Sequence, residues 1–252
     1  MSDSPRPTAE EILAADHRWY HAIDLAPGVV TPGWIDLRRF AAVPDFGDLK
    51  GLRALDVGTF DGFWAFEMER CGARVVAIDI DDIPPKNTPI IHRPRLVEEA
   101  GQITPGTGFA LLKRYFDSGV ERVSCDVMEL SVERVGGPVD VAFLGAFLLH
   151  MRDPVGALER VRDVLVPGGR LILFEPIEPK LSKKKEPLAK FLAVGGAWTY
   201  WYPNRNCLEH WATTAGFTEI SISRKATEIT NSEGLTQHLV VLNARWSGGP
   251  ST

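Results

Sequence analysis

Arg53-Ala54-Leu55-Asp56-Val57-Gly58-Thr59-Phe60-Asp61-Gly62, followed by Phe63-Trp64-Ala65-Phe66-Glu67-Met68, decides the fold. The short apolar run from Arg53 to Val57 reads as a buried strand. The two glycines then open a tight turn, and Phe63 to Met68 reads as a helix. A strand, a glycine turn and a helix in that order bring backbone close to a ligand and aim a helix N-terminus at it. Many doubly wound folds contain such a turn, so its flanks must say what it holds.

Val75-Val76-Ala77-Ile78-Asp79 is a second buried strand that ends in an acid. Asp79 follows the turn at about the spacing of 20 residues where a carboxylate accepts from ribose hydroxyls. A dinucleotide-binding turn prefers a glycine where this chain has Phe60, because a pyrophosphate must come close. Phe60 therefore points to a ligand without a pyrophosphate. Val120 to Asp126 is the third strand, continued by Val127 and Met128. Asp126 could face a ligand or cap a helix. Val139 to Gly145 is the fourth strand, and it runs into Ala146-Phe147-Leu148-Leu149-His150-Met151-Arg152-Asp153-Pro154. Asp153 and Pro154 suit the cap and first position of a helix with Val155, Leu158, Val161 and Leu165 on one face. Val166-Pro167-Gly168-Gly169 stops that helix before a fifth strand reaching Glu175.

Asp56-x-Gly58-x-x-x-Gly62 with Asp79, Asp126-Val127, and Leu165-Val166-Pro167-Gly168-Gly169-Arg170-Leu171 resembles the motif series of the class I S-adenosylmethionine-dependent methyltransferases. The usual form has a third glycine where Phe60 stands. The resemblance implies an α/β fold with a Rossmann-like, doubly wound seven-stranded sheet. That sheet is mostly parallel, with an antiparallel C-terminal hairpin and helices on both faces. It implies an N-terminal helical cap or leader over 1–50, a methyltransferase domain over 51–246 with insertions at about 81–119 and 176–205, and a disordered tail over 247–252. It also implies S-adenosylmethionine as cofactor and S-adenosylhomocysteine as product. Asp56, Gly58, Thr59, Phe60 and Gly62 would hold the amino-acid part, Asp79 and Ile80 the ribose, and Asp126 and Val127 the adenine. Gly145 would let the fourth strand pass close to the cofactor.

The 252 residues are enough for one decorated domain, with 44% hydrophobic content and a net charge of -5. That balance argues against a broad basic face, so a nucleic-acid partner is not expected. Cys71, Cys125 and Cys207 are widely spaced and form no metal-ligand pair, as in a reducing compartment. No apolar run is long enough to span a membrane, and the N-terminus lacks the apolar core of a signal peptide. The expectation is a cytoplasmic protein with a small-molecule substrate, no membrane partner and an open oligomeric state.

Residues 1–7 are polar and proline-rich, as in mobile termini. Thr8-x-x-Glu11 is a capping box for a helix expected to run to about Tyr20. On such a helix His17 and His21 share a face, but the third ligand of a helical zinc motif is missing. Trp19-Tyr20-His21-x-Ile23-Asp24-Leu25 with Thr31-Pro32-Gly33 is similar to the leader of bacterial enzymes related to the tRNA wobble-uridine (mo5U34) methyltransferases, which use carboxy-S-adenosylmethionine. A further helix is expected within Asp36–Leu49. In the first insertion, prolines break residues 84–105, and a helix follows over Gly108–Ser118. The second insertion carries Lys183-Lys184-Lys185, read as a solvated segment, and the aromatic run Trp198-Thr199-Tyr200-Trp201-Tyr202-Pro203. That run suits a lid core, a ring platform or a base-stacking surface. Tyr20, His21, Trp34, Trp198, Tyr200 and Tyr202 are the candidate substrate residues. A helix over 207–215 and alternating strands over 217–227 and 235–246 close the chain.

An oxygen acceptor must lose a proton during methyl transfer, and His150, just past the fourth strand, is the candidate base. The alternative is a histidine that orients its loop. Asp153 and Glu175 are weaker candidates, explained by capping and by a strand end. No metal is predicted, and were a divalent ion to assist, these three residues would be the first ligands to test. The tRNA enzymes have Tyr-His where this chain has Leu149-His150, and they carry basic residues that this acidic chain lacks. The reading is O-methylation of a small hydroxylated acceptor such as a sugar, glycoside or phenol. Its alternatives are a tRNA wobble-uridine-type methyltransferase and a non-catalytic cofactor-binding protein.

Overall fold

A computed structural model describes residues 5–81, 91, 105–192 and 199–249. Trp198, residues 1–4, most of the proline-broken part of the first insertion and the end of the tail lie outside the described residues. The elements in chain order begin with α1 (Ala9–Leu13), β1 (Asp24–Ala26), β2 (Val29–Val30), β3 (Arg53–Val57), α2 (Phe63–Arg70) and β4 (Arg74–Asp79). Next come α3 (Thr107–Phe116), β5 (Glu121–Ser124), β6 (Val139–Gly145), α4 (Pro154–Asp163) and β7 (Leu165–Ile177). The chain ends with β8 (Ala189–Phe191), β9 (Trp201–Pro203), α5 (Arg205–Thr214), β10 (Thr218–Ile222), β11 (Thr227–Thr230) and β12 (Thr236–Arg245).

The main sheet has the order β10-β12-β7-β6-β3-β4-β5, and β11 also pairs with β12. Strands β5, β4, β3, β6 and β7 are parallel, while β12 runs antiparallel between β7 and β10. The strand order reverses between β3 and β6, and in open α/β sheets ligands bind at the C-terminal ends of strands beside such a switch. The expected seven-stranded sheet is thus present, with one difference at its edge. The stretch read as one strand over 217–227 ends at Ile222, where Ser223 turns on its hydroxyl bond to the Lys225 carbonyl, 3.0 Å, and a separate strand follows over Thr227–Thr230. Both strands pair with β12, which gives eight strands.

Alternation along the central strands divides the core between the two faces. Leu144 and Leu173 pack with Leu158, Val161 and Leu208 on one side. Phe143 and Phe174 pack with Phe63, Trp64 and Phe109 on the other. Trp64 lies 5.0 Å from Phe143 and 5.9 Å from Phe174 between ring centres. Truncating one such ring typically costs about 3–5 kcal/mol, so these contacts dominate the packing of α2 on the sheet.

Two expected helices are shorter in the structure. The capping box forms, with Thr8 N donating to Glu11 Oε2 at 2.7 Å and Glu11 N to Thr8 Oγ1 at 3.2 Å. The helix nevertheless ends at Leu13, so His17 and His21 do not share a helix face. The following residues find better partners elsewhere, described below. Within 36–49 only a 3-10 turn over Arg38–Phe40 forms. Arg38 there bonds Asp36 and Asp24 (2.6 Å to Asp24 Oδ1), and Asp45 and Gly47 take positive φ, which breaks any helix.

The second insertion is organised by the buried Asn204. Its Nδ2 donates to the Glu186 carbonyl at 2.9 Å and, at longer distance, to those of Leu181 and Lys184. Its Oδ1 accepts from Leu188 N at 3.2 Å and caps α5 through Cys207 N at 2.8 Å. One side chain therefore fixes a loop that is otherwise exposed. Asn204→Ala should lose roughly 3 kcal/mol of stability in denaturant titrations, combining a lost cap with unpaired buried groups. Hydrogen exchange at the Leu188 amide should accelerate well beyond that of the central strands.

Candidate functional site

The glycine turn is held from beneath by β4. Gly58 N and Thr59 N both donate to the Ile78 carbonyl, at 2.9 and 3.1 Å. Phe60 then adopts φ +46°, the left-handed conformation that glycine would supply without strain. Its N–H donates to Asp79 Oδ2 at 2.6 Å, and Ile80 N donates to Asp79 Oδ1 at 2.8 Å. Asp79 is the last residue of β4, and its burial raises the carboxyl pKa while these two donors oppose the shift. The non-glycine residue is thus tolerated because a charge-assisted bond offsets the backbone strain.

Asp56, next to last in β3, is 2% exposed. Burial, with Asp79 nearby, pushes its pKa up to about 7. Asp56 Oδ2 and the hydroxyl of Thr59 are both buried without a hydrogen-bond partner. Asp126, two residues past β5, accepts from Met128 N at 3.0 Å and caps a 3-10 turn over Val127–Glu129. The capping reading of Asp126 is therefore realised, and it leaves the residue at the end of the next strand. Three carboxyl groups thus stand at the C-terminal ends of three neighbouring strands. Such a row suits a ligand that presents donors along its length, such as an ammonium, a ribose diol and an adenine amine. It would repel a pyrophosphate. The residues present accordingly fit S-adenosylmethionine, and among the described residues no cluster of three or more His, Cys, Asp or Glu could hold a metal ion.

The end of β6 forms the opposite wall. Gly145 ends the strand, and Ala146 follows at φ +49°. Glu175, 1% exposed on β7, accepts from Phe147 N at 2.8 Å and Leu148 N at 3.0 Å. Burial pushes the Glu175 pKa up to about 8 even against those two donors. The pinned loop carries Phe147 over the turn: a Cβ on Gly58 would lie 2.5 Å from its ring. It then continues as a 3-10 turn over Leu148–His150, with His150 exposed. Tyr200 N donates to the Leu149 carbonyl at 2.7 Å, and Arg152 Nε donates to the Tyr200 hydroxyl at 2.9 Å. Tyr200 and His150 are therefore brought to one short segment.

The leader closes over the turn from the other side. Asp61 is 1% exposed, and its carboxylate accepts from Tyr20 N at 2.7 Å and His21 N at 3.0 Å. His17 Nε2 lies 2.9 Å from the other oxygen. Gly108 of α3 packs on the same pair, where a Cβ would lie 2.3 Å from His17 Nε2. This latch places the Tyr20 ring 5.0 Å from Phe60 and stacks it on Trp34 at 5.4 Å. Burial raises the Tyr20 pKa to about 12, so its hydroxyl stays protonated. His21 is placed inward, stacked on Phe63, and burial lowers its pKa to about 4. Its Nδ1 is 3.9 Å from Asp61, beyond hydrogen-bond range, so this is a neutral ring and not an ion pair. Tyr202 accepts from Gln237 Nε2 at 3.1 Å. Sequence reasoning missed Asp61 and Phe147. An acid inside a ligand turn was the available signal for Asp61, and nothing local distinguished Phe147.

Residues 32–222 match the family model described as a methyltransferase domain. A tRNA U34 carboxymethyltransferase of Syntrophotalea carbinolica is 25% identical over 190 residues, 73% of this chain and 50% of that protein. A demethylmenaquinone methyltransferase of Lactococcus lactis is 27% identical over 154 residues, 60% of this chain and 52% of that protein. The chain thus spans about half the length of these relatives. In fold it is similar to the 1,6-didemethyltoxoflavin-N1-methyltransferase of Burkholderia thailandensis, solved with S-adenosylhomocysteine. The two share 19% identity and a TM-score of 0.56 over 84% of this chain and 78% of that one.

Two expectations follow from the buried acids. Asp61→Ala leaves three donors unpaired and should lower stability by roughly 3 kcal/mol. Limited trypsin digestion should then cut faster after Arg18 in the released leader. For Asp56, a bound cationic amine favours the ionised carboxyl, so binding must pull its pKa below about 7. S-adenosylhomocysteine affinity should therefore rise with pH up to about 7 and level off above it, with protons released on binding at lower pH. Calorimetry in buffers of different ionisation heat reads this directly, and Asp56→Asn should flatten the profile.

Proposed function

Because the chain belongs to the class I S-adenosylmethionine-dependent methyltransferases, we propose that it O-methylates a small hydroxylated acceptor, such as a sugar, glycoside or phenol, with His150 as base. The observation that carries this reading is the loop after β6, where Glu175 fixes the backbone leading to His150 and Tyr200 bonds the same segment. The cofactor, when bound, supplies an electrophilic methyl group on a sulfonium. Asp56, Gly58, Thr59, Phe60 and Gly62 hold its amino-acid part. Asp79 and Ile80 hold the ribose, and Asp126 and Val127 hold the adenine. Tyr20, Trp34, Tyr200 and Tyr202 orient the acceptor, and their rings exclude water. His150 would take the proton of an acceptor hydroxyl held in line with that methyl group, so that the oxygen can receive it. Positioning supplies most of the rate, and the base supplies the remainder.

A tRNA-modifying enzyme is the second reading. It is favoured by the leader motif and by the tRNA U34 carboxymethyltransferase relative. Leu149 in front of His150 and the net charge of -5 weigh against it. Labelled methyl transfer to a panel of sugars, glycosides and phenols, with tRNA as a separate arm, tells the two apart. Transfer to no acceptor despite tight cofactor binding would identify a binding protein instead.

His150→Ala should leave S-adenosylhomocysteine affinity nearly unchanged and reduce turnover by roughly 10² to 10⁴. The wild-type rate should rise with pH through the range in which histidine titrates, and the rise should vanish in the variant. Near-normal turnover at neutral pH in the variant would make His150 a loop-orienting residue.

A further inference from the structure

The C-terminal end of β7 carries a second surface, made by three segments that are bonded together. The loop 178–188 leaves β7 and is fixed by Asn204. Asn206 Nδ2 donates to the Lys185 carbonyl at 2.6 Å. The neighbouring Arg205 donates to the carbonyls of Ser223 and Arg224, at 3.2 and 3.1 Å, in the turn between β10 and β11. That turn stands level with the end of β7, because Ser223 N bonds the Val241 carbonyl and Val241 pairs with Phe174. The turn before β12 reaches past the same end, since His238 pairs with Ile177, and Gln237 ties it to Tyr202.

These segments expose Lys183, Lys184, Lys185, Arg224 and Lys225. Among the described residues no ion pair uses any of them, whereas Lys190 is paired with Glu178 at 3.5 Å. Glu186 and Glu233 are the exposed acids on the same segments, so cations are in excess on a chain whose net charge is -5. The same loop, its continuation into β8 and the turn before β12 expose large apolar side chains. Leu188 is 38% exposed, Phe191 55% and Leu235 54%. Elsewhere among the described residues only Leu13 and Ile91 are large, apolar and exposed, so these side chains gather where the cations do. Lysine charges interleaved with exposed leucine and phenylalanine match a surface that is anionic outside and apolar just beneath.

We propose that this rim seats the protein on an anionic lipid surface, with the lysines on the headgroups and Leu188, Phe191 and Leu235 dipping between them. No helix among the described residues is long and apolar enough to cross a membrane. Contact from one side needs none. It departs from the sequence expectation of no membrane partner, which considered only spanning segments. The seat adjoins the segment bearing His150 and Tyr200, so it presents the proposed acceptor entrance to the lipid surface and selects an amphiphilic acceptor held there. That selection rests on the proposed O-methylation, whereas the seat itself does not.

Co-flotation of the full chain with phosphatidylcholine vesicles, with and without phosphatidylglycerol, tests the seat. Binding is expected only to the anionic vesicles and should weaken as salt is raised. Lys183, Lys184 and Lys185 changed together to Gln should weaken it about 100-fold. Phe191→Ser should weaken it about 10-fold and do so at high salt as well. Calorimetric affinity for S-adenosylhomocysteine should be unchanged in both variants, which confirms that they fold and separates this test from that of the methyl acceptor. Absence of vesicle binding in the wild type, or binding that both variants retain in full, overturns the proposal. Salt-sensitive binding to tRNA without binding to vesicles overturns it in favour of a nucleic-acid surface.

Discussion

The carboxylate of Asp61 is the constraint on which the site depends. A buried ion is tolerable only if its oxygens are filled, and here the leader supplies every donor seen. The turn therefore cannot be completed by the sheet and α2 alone. Residues 17–21 become part of the wall beside the glycine turn although they are about 40 positions away in sequence, as the separation of 41 between Tyr20 and Asp61 records. The same bonds explain why the first helix stops at Leu13. Continuing it would carry His17 and the Tyr20 amide away from the acceptor that satisfies them inside the core.

Glu175 performs a similar task on the other wall. Its carboxyl is held against two backbone amides, and burial keeps it partly protonated near neutral pH. The geometry of the loop after β6 thus rests on a group with an unusual charge state. The two walls are independent of each other, since one is fixed from the leader and the other from β7. They meet at the glycine turn, where Tyr20 of the leader lies against Phe60 and Phe147 of the other wall lies over Gly58.

Much of the central sheet was legible, because buried parallel strands read as apolar runs of the right length. Val139–Gly145 is recovered with its exact bounds, and α4 begins at the Asp153-Pro154 signal. Legibility failed where a distant partner overrode local preference. The capping box at Thr8 gives a valid start but cannot say where the helix ends. Proline and glycine in 36–49 compete with a pattern that reads as helical. For the site, Asp79 was visible from spacing and Asp56 and Asp126 from the motif resemblance, and the structure brings the three to neighbouring strand ends. Asp61 was not visible, because its importance lies in donors contributed by another segment. The tolerance of Phe60 at a glycine position was also invisible, since it depends on the Asp79 bond to its amide.

The placement of β12 has a consequence for how this chain comes into being. Residues 236–245 form the strand that lies directly against β7, with β10 and β11 attached beyond it. During synthesis, β3 to β7 with both walls of the ligand turn emerge first. The free edge of β7 then has no partner until residues 236–245 have left the ribosome. For that interval a long apolar strand offers unpaired amides and carbonyls to any neighbouring chain. A nascent chain that binds cofactor early would still be exposed to aggregation at that edge, and a chain shortened by even its last strand would keep the exposure permanently.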